Sequence, residues 1–153
     1  LTTGNGVDMF VLDQAIGSFV LVEAKLQIPK DNNTYSINEA YTKKFSDGVR
    51  SYLDWAHNNN YSSRYIGSMV ADVHRTLLKG GVFIYPPTNE NPEGKLRLMY
   101  EANPMAMIVE QAGGKATALG NRILDIHPKG LHERTSVVLG STDQVDYFLK
   151  HTT

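Results

Sequence analysis

Cysteine is missing from all 153 residues. Its absence excludes disulfides, thiolate metal sites, cysteine nucleophiles and thiol-based redox control within the chain. No excess of one charge is present either. Lys and Arg number 15 against 16 Asp and Glu, a net charge of -1, so no global basic field argues for a nucleic-acid partner. No apolar run approaches the roughly 18–20 residues of a membrane span, and no charged-then-apolar signal opens the chain. The expectation is a cytoplasmic protein without a membrane partner. Several catalytic motifs also fail. Gly114-Lys115-Ala116-Thr117 lacks the Ser or Thr that directly follows the lysine of a P-loop, and Gly4-Asn5-Gly6 has no third glycine at dinucleotide-binding spacing. There is no G-x-S-x-G and no H-E-x-x-H. Nucleotide-driven chemistry and zinc hydrolysis are disfavoured.

What is present suits one folded globular domain, with 41% hydrophobic and 20% charged residues. The most informative stretch is Gly94 to Gly114, GKLRLMYEANPMAMIVEQAGG. Lys95 and Arg97 follow the turn-rich run PPTNENPEG, and Glu101 lies four residues beyond Arg97. Asn103-Pro104 reads as a helix start. Met105, Ile108, Val109 and Ala112 form one apolar helix face, and Gly113-Gly114 ends it as a C-cap needing positive φ does. Two cations and a carboxylate therefore stand near a helix N-terminus, where backbone N–H groups and the macrodipole favour anions. Two readings remain open on these residues alone. One is a phosphate site beside a metal-binding carboxylate. The other is a surface i, i+4 pair of Arg97 and Glu101, worth only about 0.3–0.5 kcal/mol.

Along the chain, Val7 to Leu12 and Ser18 to Ile28 read as an antiparallel hairpin with one apolar face and one that becomes polar. KDNNT is a turn. Asn38 is placed to cap a short helix, sharing its face with Tyr41; the plain alternative is N-capping plus a half-buried tyrosine. Ser46 to Asn58 is a helix with Val49, Tyr52, Leu53 and Ala56 inward, followed by a short element at Arg64-Tyr65-Ile66. Ser68 is expected to cap a helix burying Met69, Val70, Val73 and Leu77, with His74-Arg75 as a solvated or subunit-facing rim. Val82 to Tyr85, Lys115 to Ala118 and Ser136 to Leu139 read as strands. Ser141 to Gln144 has capping-box spacing for a last helix ending near Lys150. Asp125-Ile126-His127 is an exposed turn, not a metal pair. Tyr65 and Tyr85 sit at strand ends, where binding residues collect, although half-buried packing is the commoner role of such tyrosines. The alternation from Arg64 onward gives α/β with a mixed sheet and helices on its faces.

The strings YSINEAY, SRYIGSMVADVHRTLLKGG, GKLRLMYEANPMA and EQAGGKAT, in that order, resemble the class I fructose-1,6-bisphosphatase family over nearly the whole chain. The similarity is to the C-terminal part of that family's polypeptide. It implies a layered α/β/α sandwich, with residues 1–153 forming a single C-terminal sugar-phosphate-binding domain of a longer phosphatase. The implied reaction is hydrolysis of fructose-1,6-bisphosphate in gluconeogenesis, under Mg²⁺ or Mn²⁺. The implied roles place Asn38, Tyr41, Tyr65, Tyr85 and Lys95 at the sugar 6-phosphate, and Arg64 at the neighbouring subunit's pocket in a homotetramer. Glu101 is implied as a metal ligand, and Arg97 as the group stabilising charge near the scissile 1-phosphate. The family's acidic metal motif and regulatory nucleotide site lie upstream of the matched part. The expected partner is therefore an N-terminal half or companion chain, and the isolated chain is expected to be inactive. A first residue other than Met, leading directly into strand-like sequence, gives the same expectation of a fragment. Sedoheptulose-bisphosphatase is a same-class alternative; a non-catalytic sugar-phosphate sensor or scaffold is a different-class one.

Overall fold

A computed structural model describes residues 1–30 and 32–152; Asp31 in the expected KDNNT turn lies outside them. The chain opens with the hairpin of β1 (Met9–Asp13) and β2 (Ser18–Glu23), then β3 (Thr34–Ser36), a 3-10 turn at Glu39–Lys44 and α1 (Asp47–Asn58). There follow β4 (Ser62–Ser63), α2 (Met69–Lys79), β5 (Val82–Tyr85) and β6 (Leu96–Arg97). A π-helical turn at Leu98–Ala102 runs into α3 (Asn103–Gln111). The rest is β7 (Lys115–Ala118), β8 (Asn121–Arg122), a 3-10 turn at Ile123–Asp125, β9 (Arg134–Thr135), β10 (Val137–Gly140) and α4 (Thr142–Thr152).

Six strands form one mixed sheet in the order β4-β3-β5-β10-β7-β8. β3 runs parallel to both β4 and β5, and the β5–β10, β10–β7 and β7–β8 pairs are antiparallel. Alternate side chains feed two separate cores, as the two-residue period of a strand requires. Val82, Ile84 and Val138 join Val49, Tyr52 and Leu53 of α1 and Val145 and Phe148 of α4. Phe83, Val137 and Leu139 join Val73 of α2 and Ala106 and Val109 of α3. Helices thus cover both faces, and the fold is the expected α/β/α sandwich.

Where apolar periodicity was clean, it located the buried face. Val49, Tyr52, Leu53 and Ala56 are the buried residues of α1, and the Ser46 hydroxyl accepts from Val49 N–H. Elsewhere polar partners redirect the chain. Val70 is 62% exposed, and α2 instead buries Asp72, Val73, Thr76 and Leu77. Asp72 is tolerated there because its carboxylate accepts the N–H groups of Ile66 and Gly67 at 3.1 and 3.2 Å and pairs with Arg75 Nη1 at 2.8 Å. Arg75 is therefore bound to its own helix, while His74 remains exposed. Ser68 stands at the cap position of α2 without a side-chain cap bond. The short strand falls at Ser62–Ser63, not at Arg64-Tyr65-Ile66, because the backbone of residues 66 and 67 is committed to Asp72. Ser141 does not form the expected capping box. Its hydroxyl accepts from Gly81 N–H and donates to Pro29 carbonyl, tying β5 to the segment before β3.

The hairpin forms in antiparallel register, with Val11 opposite Val20 and Asp13 opposite Ser18. Its expected apolar and polar faces are not sorted by burial. Phe10, Val11, Leu12, Phe19, Val20, Leu21 and Val22 are all exposed, Phe19 by 71%. Only its base is packed, through Val7, Met9, Leu26 and Ile28 against Leu77 and Ala112. A two-stranded ribbon without a packed face is marginal in water. Amide exchange in β1 and β2 should accordingly run roughly 100-fold or more faster than in β10, whose exchange needs near-global opening. Equal protection of both, measured by hydrogen exchange at low protein concentration, would contradict this account.

Candidate phosphate pocket

Three parallel strands end side by side. β4 leads into Arg64 and Tyr65, β3 into Asn38 and the 3-10 turn carrying Tyr41, and β5 finishes at Tyr85. Open α/β sheets collect ligands at the carboxyl ends of such strands, since loops there converge on a rigid edge. A pocket at this edge is lined by Asn38, Tyr41, Lys44, Tyr85, Thr88, Glu90, Asn91 and Lys95 among others. It therefore gathers Asn38, Tyr41, Tyr85 and Lys95 from positions up to 57 residues apart in sequence (38 to 95).

Each group is held for a local reason. Asn38 caps the 3-10 turn, its side-chain oxygen accepting from Ala40 N–H at 3.2 Å. Tyr65 lies beside the pocket, close to Asn38, Tyr41 and Tyr85. Burial raises its phenol, the charges of Tyr85, Asp72 and Tyr41 act in the same sense, and a hydrogen bond with Asn38 acts in the opposite one. Lys95 is presented by Gly94, which has φ +94° and lies backbone to backbone against residues 135 and 136. A Cβ on Gly94 would sit 2.2 Å from Ser136 N, so no other residue keeps this approach. The Lys95 carbonyl accepts from Arg134 Nη1 at 2.7 Å.

Two lining charges have no sequence pattern to reveal them. Lys44 Nζ lies 2.9 Å from Glu90 Oε1 and 5.5 Å from the centroid of the Tyr41 ring. The hydrogen bond between the pair raises the lysine's pKa and lowers the carboxylate's. They are 46 residues apart in a turn and a loop, where neither helical nor strand spacing operates.

Tyr65, Arg64, Arg97 and Glu101 lie outside the pocket lining. Arg64 is exposed, with its Nη1 donating to Ser63 carbonyl at 2.8 Å. Helical winding begins at Leu98, five residues before α3, so Glu101 is inside a π-helical turn and not ahead of the helix. Its Oε2 accepts from Arg97 N–H at 2.7 Å and lies 3.6 Å from Arg97 Nη1. The modest i, i+4 pair therefore exists and also satisfies a backbone donor at the turn's start. Oε1 of Glu101 accepts no hydrogen bond among the described residues. That free oxygen fits one ligand of a hard divalent cation. Among the described residues no group of three or more His, Cys, Asp or Glu could hold a metal, so these residues alone do not complete a coordination shell. Asp125 pairs with Arg122 at 2.6 Å beside its 3-10 turn.

Behind the pocket, the Tyr35 hydroxyl meets Glu39 Oε1 and His57 Nε2, each at 2.8 Å. Burial first, then the hydrogen bond to Glu39, pushes the Tyr35 phenol up to about 12. Tyr52 is raised further, again chiefly by burial. Raised folded-state values mean the unfolded chain loses these protons first, near pH ~10. Stability is thus fully present below ~10 and falls as pH rises toward 12. Denaturation midpoints measured from pH 8 to 12 should decline beyond ~10, and Tyr35→Phe should reduce that decline.

Among the described residues no helix is long and apolar enough to cross a membrane. The family model described as "Fructose-1-6-bisphosphatase, C-terminal domain" matches residues 28–153. The class 1 fructose-1,6-bisphosphatase of Chlorobium chlorochromatii is 55% identical over 150 residues, covering 94% of this chain and 45% of the relative. That of Persephonella marina is 52% identical over 151 residues, covering 98% and 47%. Among solved structures, Leishmania major fructose-1,6-bisphosphatase in holo form is 50% identical with a TM-score of 0.97, covering 99% of this chain and 48% of that one. Its apo form superposes with a TM-score of 0.96. The chain thus spans about half the length of the relatives it matches.

Proposed function

This chain belongs to the fructose-1,6-bisphosphatase family, and on that premise we propose that it supplies the sugar-phosphate pocket for hydrolysis of fructose-1,6-bisphosphate to fructose-6-phosphate and phosphate. The observation that carries the reading is the meeting of Asn38, Tyr41, Tyr85 and Lys95 in one pocket, with Tyr65 beside them. A phosphate monoester dianion needs neutral donors and at least one cation around it. The tyrosine hydroxyls and Asn38 amide supply the first, and the Lys95 ammonium the second. The 6-phosphate anchors the sugar here, so that its far end is oriented for reaction elsewhere. Relatives named for fructose-1,6-bisphosphate favour that substrate over a sedoheptulose bisphosphate, and favour an enzyme over a sensor.

The remaining roles extend the same reading. Family members are metal-dependent, and Glu101 contributes one oxygen to a Mg²⁺ or Mn²⁺ ion. When bound, such an ion polarises the phosphoryl group and activates water. Arg97, held against Glu101, places positive charge near the scissile phosphate. Arg64 is exposed and reaches the pocket of a neighbouring subunit in a homo-oligomer, a homotetramer in this proposal. Residues 1–153 act as one C-terminal unit that requires an N-terminal half, in the same polypeptide or a companion chain, to complete the acidic metal site. That half also covers the apolar hairpin, whose free strand edges otherwise invite association. The proposed compartment is the cytoplasm.

Phosphate release from fructose-1,6-bisphosphate with Mg²⁺ should be absent for this chain alone and restored by adding the N-terminal half. Turnover by the chain alone near the usual ~1–10³ s⁻¹ would overturn the one-carboxylate account. Lys95→Ala should weaken fructose-6-phosphate binding roughly tenfold to a hundredfold, the worth of one charged hydrogen bond. Lys95 is exposed, so the same change should move fold stability by less than ~0.5 kcal/mol. Unchanged binding, measured by calorimetry, would remove the pocket from the reading.

A further inference from the structure

The strap at residues 63–67 runs from the last residue of β4 toward α2, carrying Arg64 and Tyr65, and makes no strand beyond Ser63. Such a segment is loose unless its ends are held. Its far end is held by Asp72, which accepts from Ile66 N–H and Gly67 N–H. Its near end meets Glu39. The Ser63 hydroxyl donates to Glu39 Oε1 at 2.9 Å, and Arg64 N–H donates to Tyr35 carbonyl at 2.9 Å.

Glu39 lies directly after Asn38, at the start of the turn that carries Tyr41. Its carboxylate is shared by three elements. Oε1 accepts from Ser63 at the end of β4 and from Tyr35 of β3, and Oε2 lies 3.4 Å from His57 Nε2 of α1. The proton count fixes the direction of these bonds. Tyr35 has one hydroxyl proton and gives it to Glu39, so the nitrogen of His57 facing the Tyr35 oxygen must carry the hydrogen. One carboxylate thereby collects donors from β3, the strap and α1 at a point one residue from the pocket lining.

We propose that Glu39 is a positioning residue for the phosphate pocket, fastening the strap that bears Tyr65 to the turn that bears Asn38 and Tyr41. It touches no ligand itself. Its effect is on the fraction of molecules in which the two segments stand together, and apparent affinity scales with that fraction. The proposal rests on the sugar-phosphate reading of the pocket for its consequence, but not for its geometry.

Both parts are testable on the whole chain with Glu39→Ala and Glu39→Gln. In the ligand-free protein, the Arg64 amide should exchange at least about tenfold faster in Glu39→Ala, together with amides of the 39–44 turn, while β10 stays protected. Fructose-6-phosphate should bind about tenfold more weakly to Glu39→Ala, as expected if the assembled fraction falls to roughly one tenth. Glu39→Gln keeps an acceptor oxygen for Tyr35 and Ser63 and should return to within about threefold of the unmodified protein, a rescue that one acceptor oxygen accounts for. Unchanged exchange at Arg64 in Glu39→Ala, or equal losses of affinity in the two variants, overturns the proposal. Should the unmodified chain bind no fructose-6-phosphate, the pocket reading fails, and the exchange measurement alone still decides whether Glu39 is the clasp.

Discussion

Two-sided burial of the strand pair β5 and β10 is the constraint on which the rest of this structure depends. Every residue of β10 is buried, as are Val82, Phe83 and Ile84 of β5. Strands covered on both faces cannot return their backbone groups to water, so each must find a neighbour. β10 is paired on one side by β5 and on the other by β7, and the apolar faces call for helices above and below. α1 with α4, and α2 with α3, answer that demand. Gly140 shows how tight the result is. A Cβ there would lie 2.1 Å from Gly81 carbonyl, so the two strands approach each other where side chains are absent.

The pocket is a product of the same sheet at its other end. Parallel pairing of β4, β3 and β5 aligns three chain exits, and each exit carries a polar side chain suited to an anion. Ile37 and Phe45 anchor the two ends of the first turn in the core, but no side chain within residues 39–44 or 64–67 is buried. Between those anchors their geometry rests on a small set of fastenings: the Asn38 cap, the Glu39 carboxylate, the Asp72 carboxylate and the Gly94 approach. Rigid strands set where the site lies, and buried or half-buried carboxylates set its shape.

How much of this could be read from sequence follows from which force is at work. The inner face of α1 was legible because apolar spacing alone determines it. The outward turn of Val70 was not, because Asp72 is drawn inward by backbone donors in a loop six residues earlier, a preference that hydropathy assigns the wrong sign. Ser141 and Gln144 have the spacing of a capping box, yet the Ser141 hydroxyl bonds across 60 residues to Gly81, which no local rule detects. Asn38, Tyr41, Tyr85 and Lys95 were singled out by chemistry and by family strings, and their meeting in one pocket is a fact of topology. Lys44 and Glu90 escaped notice because each alone is an ordinary surface charge. The hairpin was legible as a hairpin, but its exposure was not, since apolar alternation says what wants to be covered and not what covers it.

The Lys44–Glu90 pair has a consequence for how the pocket meets its environment. Lys44 is a second cation lining the pocket, but its charge is already answered by a carboxylate on the same wall. Glu90 therefore behaves as a tethered competitor, present at fixed local concentration whatever the solution contains. An incoming dianion must either share Lys44 with it or displace it. Salt then acts twice with opposite signs, screening the attraction between dianion and lysine while also loosening the internal pair that opposes it. The two effects oppose each other, so pairing with Glu90 lessens the ionic-strength dependence that an unpaired Lys44 would give the pocket.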